Sequence, residues 1–229
     1  MKKKTAQSNS SQTPEDFVDD ASSGTKTESE MSVRERLILA ALDEVEEVGF
    51  ARFSLRRVAS ACGLSCAAPY KHFKNKRAII EAILRHINSV WFRRQEIVLE
   101  RLADEPLRVR LVELSLEFIR FMVENPQFRS ILMIHDATFD SEYLDVKADL
   151  SAHSKKLIKK FSDETNMPLA EAKKKMYLVR SIIYGASLMF ANYELKYCEE
   201  TMEYVRLAID REFDLPNLGA PVIETKMKK

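Results

Sequence analysis

The stretch Gly49 to Leu84 reads GFARFSLRRVASACGLSCAAPYKHFKNKRAIIEAIL, and its punctuation decides the fold. Ser54 opens a short helix whose Leu55, Val58, Ala59 and Cys62 recur at the three- and four-residue spacing of one helix face. Gly63-Leu64-Ser65 follows as a turn, because glycine takes the positive φ that ends a helix sharply. Ser65 then caps a third short helix through about Phe73, and Asn75 caps a long fourth helix from Lys76. Two short helices joined by a three-residue turn containing glycine form a helix-turn-helix, with Leu64 placed to plug the gap between them. Ser65, Cys66, Ala67 and Ala68 give the second of these helices a small-residue start, suited to a DNA major groove about 12 Å wide. N-terminal residues of such a helix are those that meet base edges.

Charge points the same way. From Ala51 to Arg94 there are ten Lys and Arg against the single acid Glu81, a balance of +9 hidden inside a net charge of only +1. Basic charge gathered in one segment is the electrostatic footprint of a polyanion partner. A solvated helix face shows such a run as well, so charge alone leaves both readings open.

Outward from this segment the chain reads as helix throughout. Ser32 with Glu35 is a capping-box pattern opening a first helix, which carries Leu37, Ala40, Ala41, Val45 and Val48 and ends at Gly49. In the fourth helix Ile80, Ile83, Leu84, Ile87, Val90 and Trp91 form an apolar stripe. Pro106, Pro126 and Pro168 punctuate the remainder, since proline is tolerated in a first turn and disfavoured inside a helix. Later helices are expected at about 107–124, 127–135, 141–163, 169–197 and 200–213. Only five glycines and seven prolines in 229 residues favour helices over a strand-rich fold. The expected architecture is all-α, in four parts. Residues 1–31, rich in Ser, Thr, Gln, Asp and Glu with only Phe17 and Val18 as notable apolar residues, are expected to form a disordered tail. Residues 32–78 form the DNA-binding domain, 79–215 a helical regulatory and dimerisation domain, and 216–229 a flexible end.

Met1-Lys2-Lys3-Lys4 is followed by polar residues rather than an apolar signal core, and no run of about 18 apolar residues suggests a membrane span. Cys62, Cys66 and Cys198 are too few and odd in number for a disulfide framework, which points to the reducing cytoplasm. The Cys66 thiol, near a helix N-terminus, is a candidate reactive group; a small residue against DNA or solvent is the plainer reading. His72, His86, His135 and His153 form no metal-spaced set with the cysteines, and neither a Gly-rich phosphate loop nor G-x-S-x-G occurs. No enzyme activity, metal or cofactor is expected.

The segment resembles the DNA-binding part of the TetR/AcrR family of transcription regulators over roughly residues 33–85. The likeness rests on Gly49, Ser54, Cys62-Gly63-Leu64-Ser65, Tyr70-Lys71-His72-Phe73 and Lys76. Cys62 and Leu64 stand where alanine and valine are usual, and Pro69 sits in the first turn of the third helix. The resemblance implies that Ser54, Tyr70, His72 and Lys76 hold the phosphate backbone, with Arg56, Arg57 and Lys71 as further contacts. Ser65, Cys66 and Ala67 face the bases; their small side chains leave readout to Lys71, thymine methyl contacts and DNA shape.

Lys175 to Tyr193 carries two apolar stripes: Met176, Val179, Ile183, Ala186, Phe190 and Tyr193, and beside them Leu178, Ile182, Gly185 and Met189. A helix apolar over so wide an arc needs cover on two sides, one of which a partner subunit can supply. The resemblance implies a homodimer built on the eighth and ninth helices. The expected interface is Val179, Ile183, Ala186, Phe190, Met202, Val205 and Ile209, and its operator is near-palindromic double-stranded DNA. It also implies a pocket for a small apolar ligand among Trp91, Phe118, Phe121, Met122, Phe128, Met133, Phe139, Tyr177 and Tyr184, where solid core is the alternative. His135-Asp136 is a candidate polar handle. The expected function is a repressor released by that ligand. An activator, a ligand-independent DNA-binding regulator and a helical adaptor without DNA binding are the rivals.

Overall fold

The computed structural model describes residues 31–132, 143 and 150–214, and among these there is no strand. The readings made for the two termini, and for Met133, His135, Asp136 and Phe139, fall outside the described residues. Ten elements are described: α1 (Val33–Val48), a 3₁₀ turn (Phe50–Arg52), α2 (Leu55–Ala61), α3 (Ala68–His72), α4 (Lys76–Arg101), α5 (Leu107–Glu124), α6 (Pro126–Leu132), α7 (Ala152–Thr165), α8 (Leu169–Ala191) and α9 (Glu199–Asp214).

Local chemistry sets most of these ends. At α1 the reciprocal box is formed: the Ser32 backbone N–H donates to Glu35 Oε2 at 2.9 Å, and the Glu35 N–H donates to Ser32 Oγ at 3.2 Å. Gly49, at φ 75°, stops α1. The Asn75 side chain accepts from the Ala78 N–H and starts α4. Pro106 and Pro168 cap α5 and α8, and Pro126 begins α6. Asn166, in the left-handed region at φ 53°, closes α7. Two ends differ from the sequence reading. The Ser65 side chain caps nothing: its carbonyl accepts from Ala68, and α3 begins only there, with Pro69 in the first turn. The eighth helix ends at Ala191 rather than near 197, because Tyr193 adopts φ 58°. Cys198 therefore lies just ahead of α9, where its carbonyl accepts from Met202 and hydrogen bonds from Thr201 lower its thiol pKa.

Two cores result. The first joins Leu37, Ala41 and Val45 of α1, Val58 of α2, Phe73 and Ile79, Ile83 and Ile87 of α4, and it is closed by Phe121, Met122, Phe128 and Ile131 of α5 and α6. The second joins Leu111, Leu116 and Ile119 of α5, Leu157 and Phe161 of α7, Val179 and Phe190 of α8, and Ile209 and Phe213 of α9. Burying each such aliphatic side chain contributes roughly 1.5–3 kcal/mol. α4 belongs to both, and it is the covalent and packed link between the helix-turn-helix and the C-terminal helices.

The second core corrects the expected dimer surface. Val179, Ile183, Ala186, Phe190, Met202, Val205 and Ile209 are all buried within the single chain. They pack α8 and α9 onto α5 and onto each other, so they are unavailable to a second copy. The other stripe is the one left outside: Leu178 and Met189 are exposed, with Leu188 beside them and Tyr204 and Leu207 on α9.

Candidate nucleic-acid interface and internal cavity

The turn between α2 and α3 is built by backbone bonds. The N–H of Gly63 reaches the Ser60 carbonyl at 3.0 Å and that of Leu64 the Ala59 carbonyl at 2.9 Å, with Gly63 at φ 67°. α1 is tied to it, because Arg36 Nη2 donates to the Cys62 carbonyl at 2.8 Å. α3 is oriented by its buried side: Pro69 is buried and Phe73 is 2 % exposed, with the Arg34 guanidinium 5.2 Å from the Phe73 ring centre. What remains outward is Ser65, Cys66 and Ala67 of the turn, then Tyr70, Lys71 and His72 of α3. Tyr70 is 58 % exposed, so its ring and hydroxyl are open to a partner.

The expected phosphate contacts divide into two groups. Arg56 is exposed on α2, and half-buried Ser54 makes no capping bond with its hydroxyl. Arg57 and Lys76, by contrast, are engaged by groups of the domain itself. Arg57 pairs with the buried Glu44 carboxylate of α1 at 2.5 Å and also donates to the Arg52 carbonyl. Lys76 Nζ donates to the Phe50 carbonyl at 3.2 Å and lies 4.6 Å from the Phe50 ring centre and 5.4 Å from that of Phe53; burial lowers its pKa. Exposed Lys74, just ahead of α4, and Arg77, in its first turn, carry further positive charge; their signal was the density of basic residues in Lys71-His72-Phe73-Lys74-Asn75-Lys76-Arg77.

A cavity of about 520 Å³ opens between α4, α5, α6, α7 and α8. Trp91, Phe118, Tyr177 and Tyr184 line it. Phe121, Met122 and Phe128 do not. They are drawn into the first core, where Phe121 packs 5.3 Å from the Trp91 ring and 5.5 Å from Phe128, so their place in the expected pocket is corrected. The rest of the wall was not read from the sequence: Leu114, Ser115, Met176 and Ile183 are aliphatic or small, and Arg180 and Ser181 look like solvent-facing residues of α8. Aromatic content alone does not mark these residues; the helical spacing of Tyr177, Arg180, Ser181 and Tyr184 puts them on one arc of α8, the other side of the cavity.

These features define a helical protein with an N-terminal helix-turn-helix and a C-terminal bundle holding a ligand-sized cavity. Residues 37–83 match the family described as bacterial regulatory proteins, tetR family. That segment resembles the family's DNA-binding part, and the fold of the chain is that of solved TetR-family transcription regulators. It is 34% identical over 110 residues to the nucleoid occlusion factor SlmA of Aliivibrio fischeri, an alignment covering 47% of this chain and 55% of that protein. The chain thus spans about half the length of the curated relatives it matches. A TetR family transcription regulator from Marinobacter aquaeolei superimposes with a TM-score of 0.58 at 16% identity, covering 78% of this chain and 94% of that one. The transcriptional regulator FadR from Bacillus subtilis, in complex with stearoyl-CoA, does so with a TM-score of 0.63 at 11% identity, covering 78% and 96%.

Proposed function

We infer that this chain is a dimeric DNA-binding repressor whose operator affinity is lowered by a small ligand held between α4 and α8. The observation that carries the DNA-binding part is the outward set Tyr70, Lys71 and His72 on α3, beside a turn of small residues and flanked by Arg56, Lys74 and Arg77. Ser65, Cys66, Ala67 and Lys71 meet base edges, while Ser54, Arg56, Tyr70 and His72 meet phosphates. Lys76 and Arg57 act one step behind, by holding the starts of α4 and α2 against α1 and the 3₁₀ turn.

Dimerisation is assigned to the outer stripe of α8 and α9: Leu178, Gly185, Leu188 and Met189 with Tyr204 and Leu207. A Cβ added at Gly185 would meet nothing within 4 Å of its own chain, so a small residue there serves approach from outside. A patch of this kind pairs naturally with its own copy across a two-fold axis. Two recognition helices then sit about 34–36 Å apart on a near-palindromic site.

The test is genome-wide DNA capture with the purified protein and with Tyr70→Ala and Lys71→Ala. One near-palindromic class of site, weakened in both variants and steeply salt-dependent, is the expected result. Equal, weak capture by all three proteins would overturn it in favour of a helical adaptor. Transcripts beside the bound sites should rise when the chain is removed from its cell; a fall would identify an activator. The similarity to nucleoid occlusion factors favours a second reading, in which occlusion at the nucleoid is the output. Bound sites without any transcript change on removal would select it.

A further inference from the structure

The cavity wall carries one charge. Of its lining residues Arg180 alone is ionised at neutral pH; the others are apolar or carry hydroxyls. Among the described residues no carboxylate pairs with Arg180. Its guanidinium lies 5.8 Å from the centre of the Tyr184 ring, which leaves its N–H donors unused. Three arginines of the same bundle are matched to acids: Arg94 to Glu117 and Glu124, Arg108 to Asp210 and Asp214, and Arg120 to Glu117.

Its placement is that of a head-group anchor. Trp91, Leu114, Phe118, Met176 and Ile183 make the apolar part of the wall, and the Trp91 indole N–H is already committed to the Leu150 carbonyl at 3.1 Å. Arg180, Tyr177 and Ser181 share one arc of α8 and are exposed, so the polar end of the wall faces solvent. α7 and α8 run as an antiparallel hairpin about the Asn166–Pro168 turn, and Ser154 lies as many residues before that turn as Arg180 lies after it. Both line the cavity, which brings a hydroxyl to the level of the guanidinium from the facing helix. A volume near 520 Å³ falls inside the roughly 300–1,000 Å³ that hold drug-sized molecules.

We propose that the ligand of this cavity is an amphiphile with a single apolar chain and an anionic head, the chain lying against Trp91 and Phe118 and the head bound by Arg180. The proposal rests on the ligand-controlled reading above and supplies its chemistry. An anionic head gains a charge-assisted hydrogen bond from the guanidinium that a neutral head does not, and a cationic head is repelled. The shared chemistry admits a free carboxylate or an acyl thioester whose phosphates carry the charge.

The test is binding to the full-length protein, by titration calorimetry and by thermal shift, of laurate, lauroyl-CoA, dodecanol and dodecyltrimethylammonium. The same probes are applied to Arg180→Met and Arg180→Lys. Laurate or lauroyl-CoA should bind at least about tenfold more tightly than dodecanol, and the cation should not bind. Whichever anion wins names the source. Arg180→Met should remove that preference while keeping dodecanol affinity unchanged, which also shows that the variant is folded; Arg180→Lys should restore part of it. The preference should shrink at high salt, because Arg180 is exposed. Dodecanol binding as tightly as laurate to both the native chain and Arg180→Met would overturn the anionic head and leave an apolar pocket standing. No binding by any probe would overturn the proposal and the cavity as a ligand site together. Anion binding without release of captured operator DNA would keep the site and refute only its control of DNA.

Discussion

Tyr70 and Lys76 are separated by a single short loop, and the sequence assigns both to the DNA backbone, yet folding treats them differently. The Tyr70 ring has most of its surface in solvent, whereas the Lys76 ammonium spans the Phe50 carbonyl and two aromatic rings. The two substitutions should therefore separate. Tyr70→Ala is expected to weaken operator binding with no change in melting temperature. Lys76→Met is expected to lower the melting temperature by removing a hydrogen bond and a partly desolvated cation–π contact, together worth about 1–2 kcal/mol. Equal melting temperatures for both variants would show Lys76 to be a surface group. Arg57 belongs with Lys76, because the Glu44 carboxylate it neutralises is buried in α1.

At the scale of the element, α8 is the instructive case. Periodicity identifies two adjacent apolar stripes on it, and nothing in the spacing says which stripe meets its own chain. The structure gives Val179, Ile183, Ala186 and Phe190 to α5, α7 and α9, and leaves Leu178, Leu188 and Met189 outside. Ile209→Ala on α9 should thus cost about 2–5 kcal/mol of stability, as a large-to-small change in a closed core does. Leu188→Glu should leave the fold intact and shift the protein from dimer to monomer in light scattering. A Leu188→Glu protein that stays dimeric would place the interface elsewhere.

Over the whole molecule the helix-turn-helix and the cavity are not mechanically separate. Phe118, in the cavity wall, stands 4.9 Å from the Trp91 ring, Trp91 adjoins Phe121, Phe121 adjoins Phe128, and Phe128 meets the His86 ring of α4 at 6.0 Å. α6 in turn packs on α1. His86 lies in this seam, and burial, with Arg93 nearby, holds its pKa below 6.5 although Glu35 opposes. Below about 6.5 the unfolded chain binds a proton there that the folded chain resists. Stability should therefore fall as pH drops from the ordinary histidine pKa through the depressed folded one. Melting temperatures across that window should show the fall, and His86→Phe should flatten it; an unchanged slope would remove His86 as its source.

The helical class, the helix-turn-helix and most helix ends were legible in the sequence, because these depend on neighbours in the chain; the start of α3 at Ala68 was not. Gly49 and Gly63 supply positive φ, Ser32 with Glu35 and Asn75 cap their own helices, and prolines begin α5, α6 and α8. The contacts of Lys76 and Arg57, the stripe of α8 left exposed, and the presence of Arg180 at a cavity were decided only in three dimensions. Each depends on which distant side chain arrives opposite: Phe50, Glu44, the α5 face, Trp91. Hydrophobic periodicity records that a face must be covered and carries no information about what covers it, since burial is non-directional while hydrogen bonds and charges have specific partners.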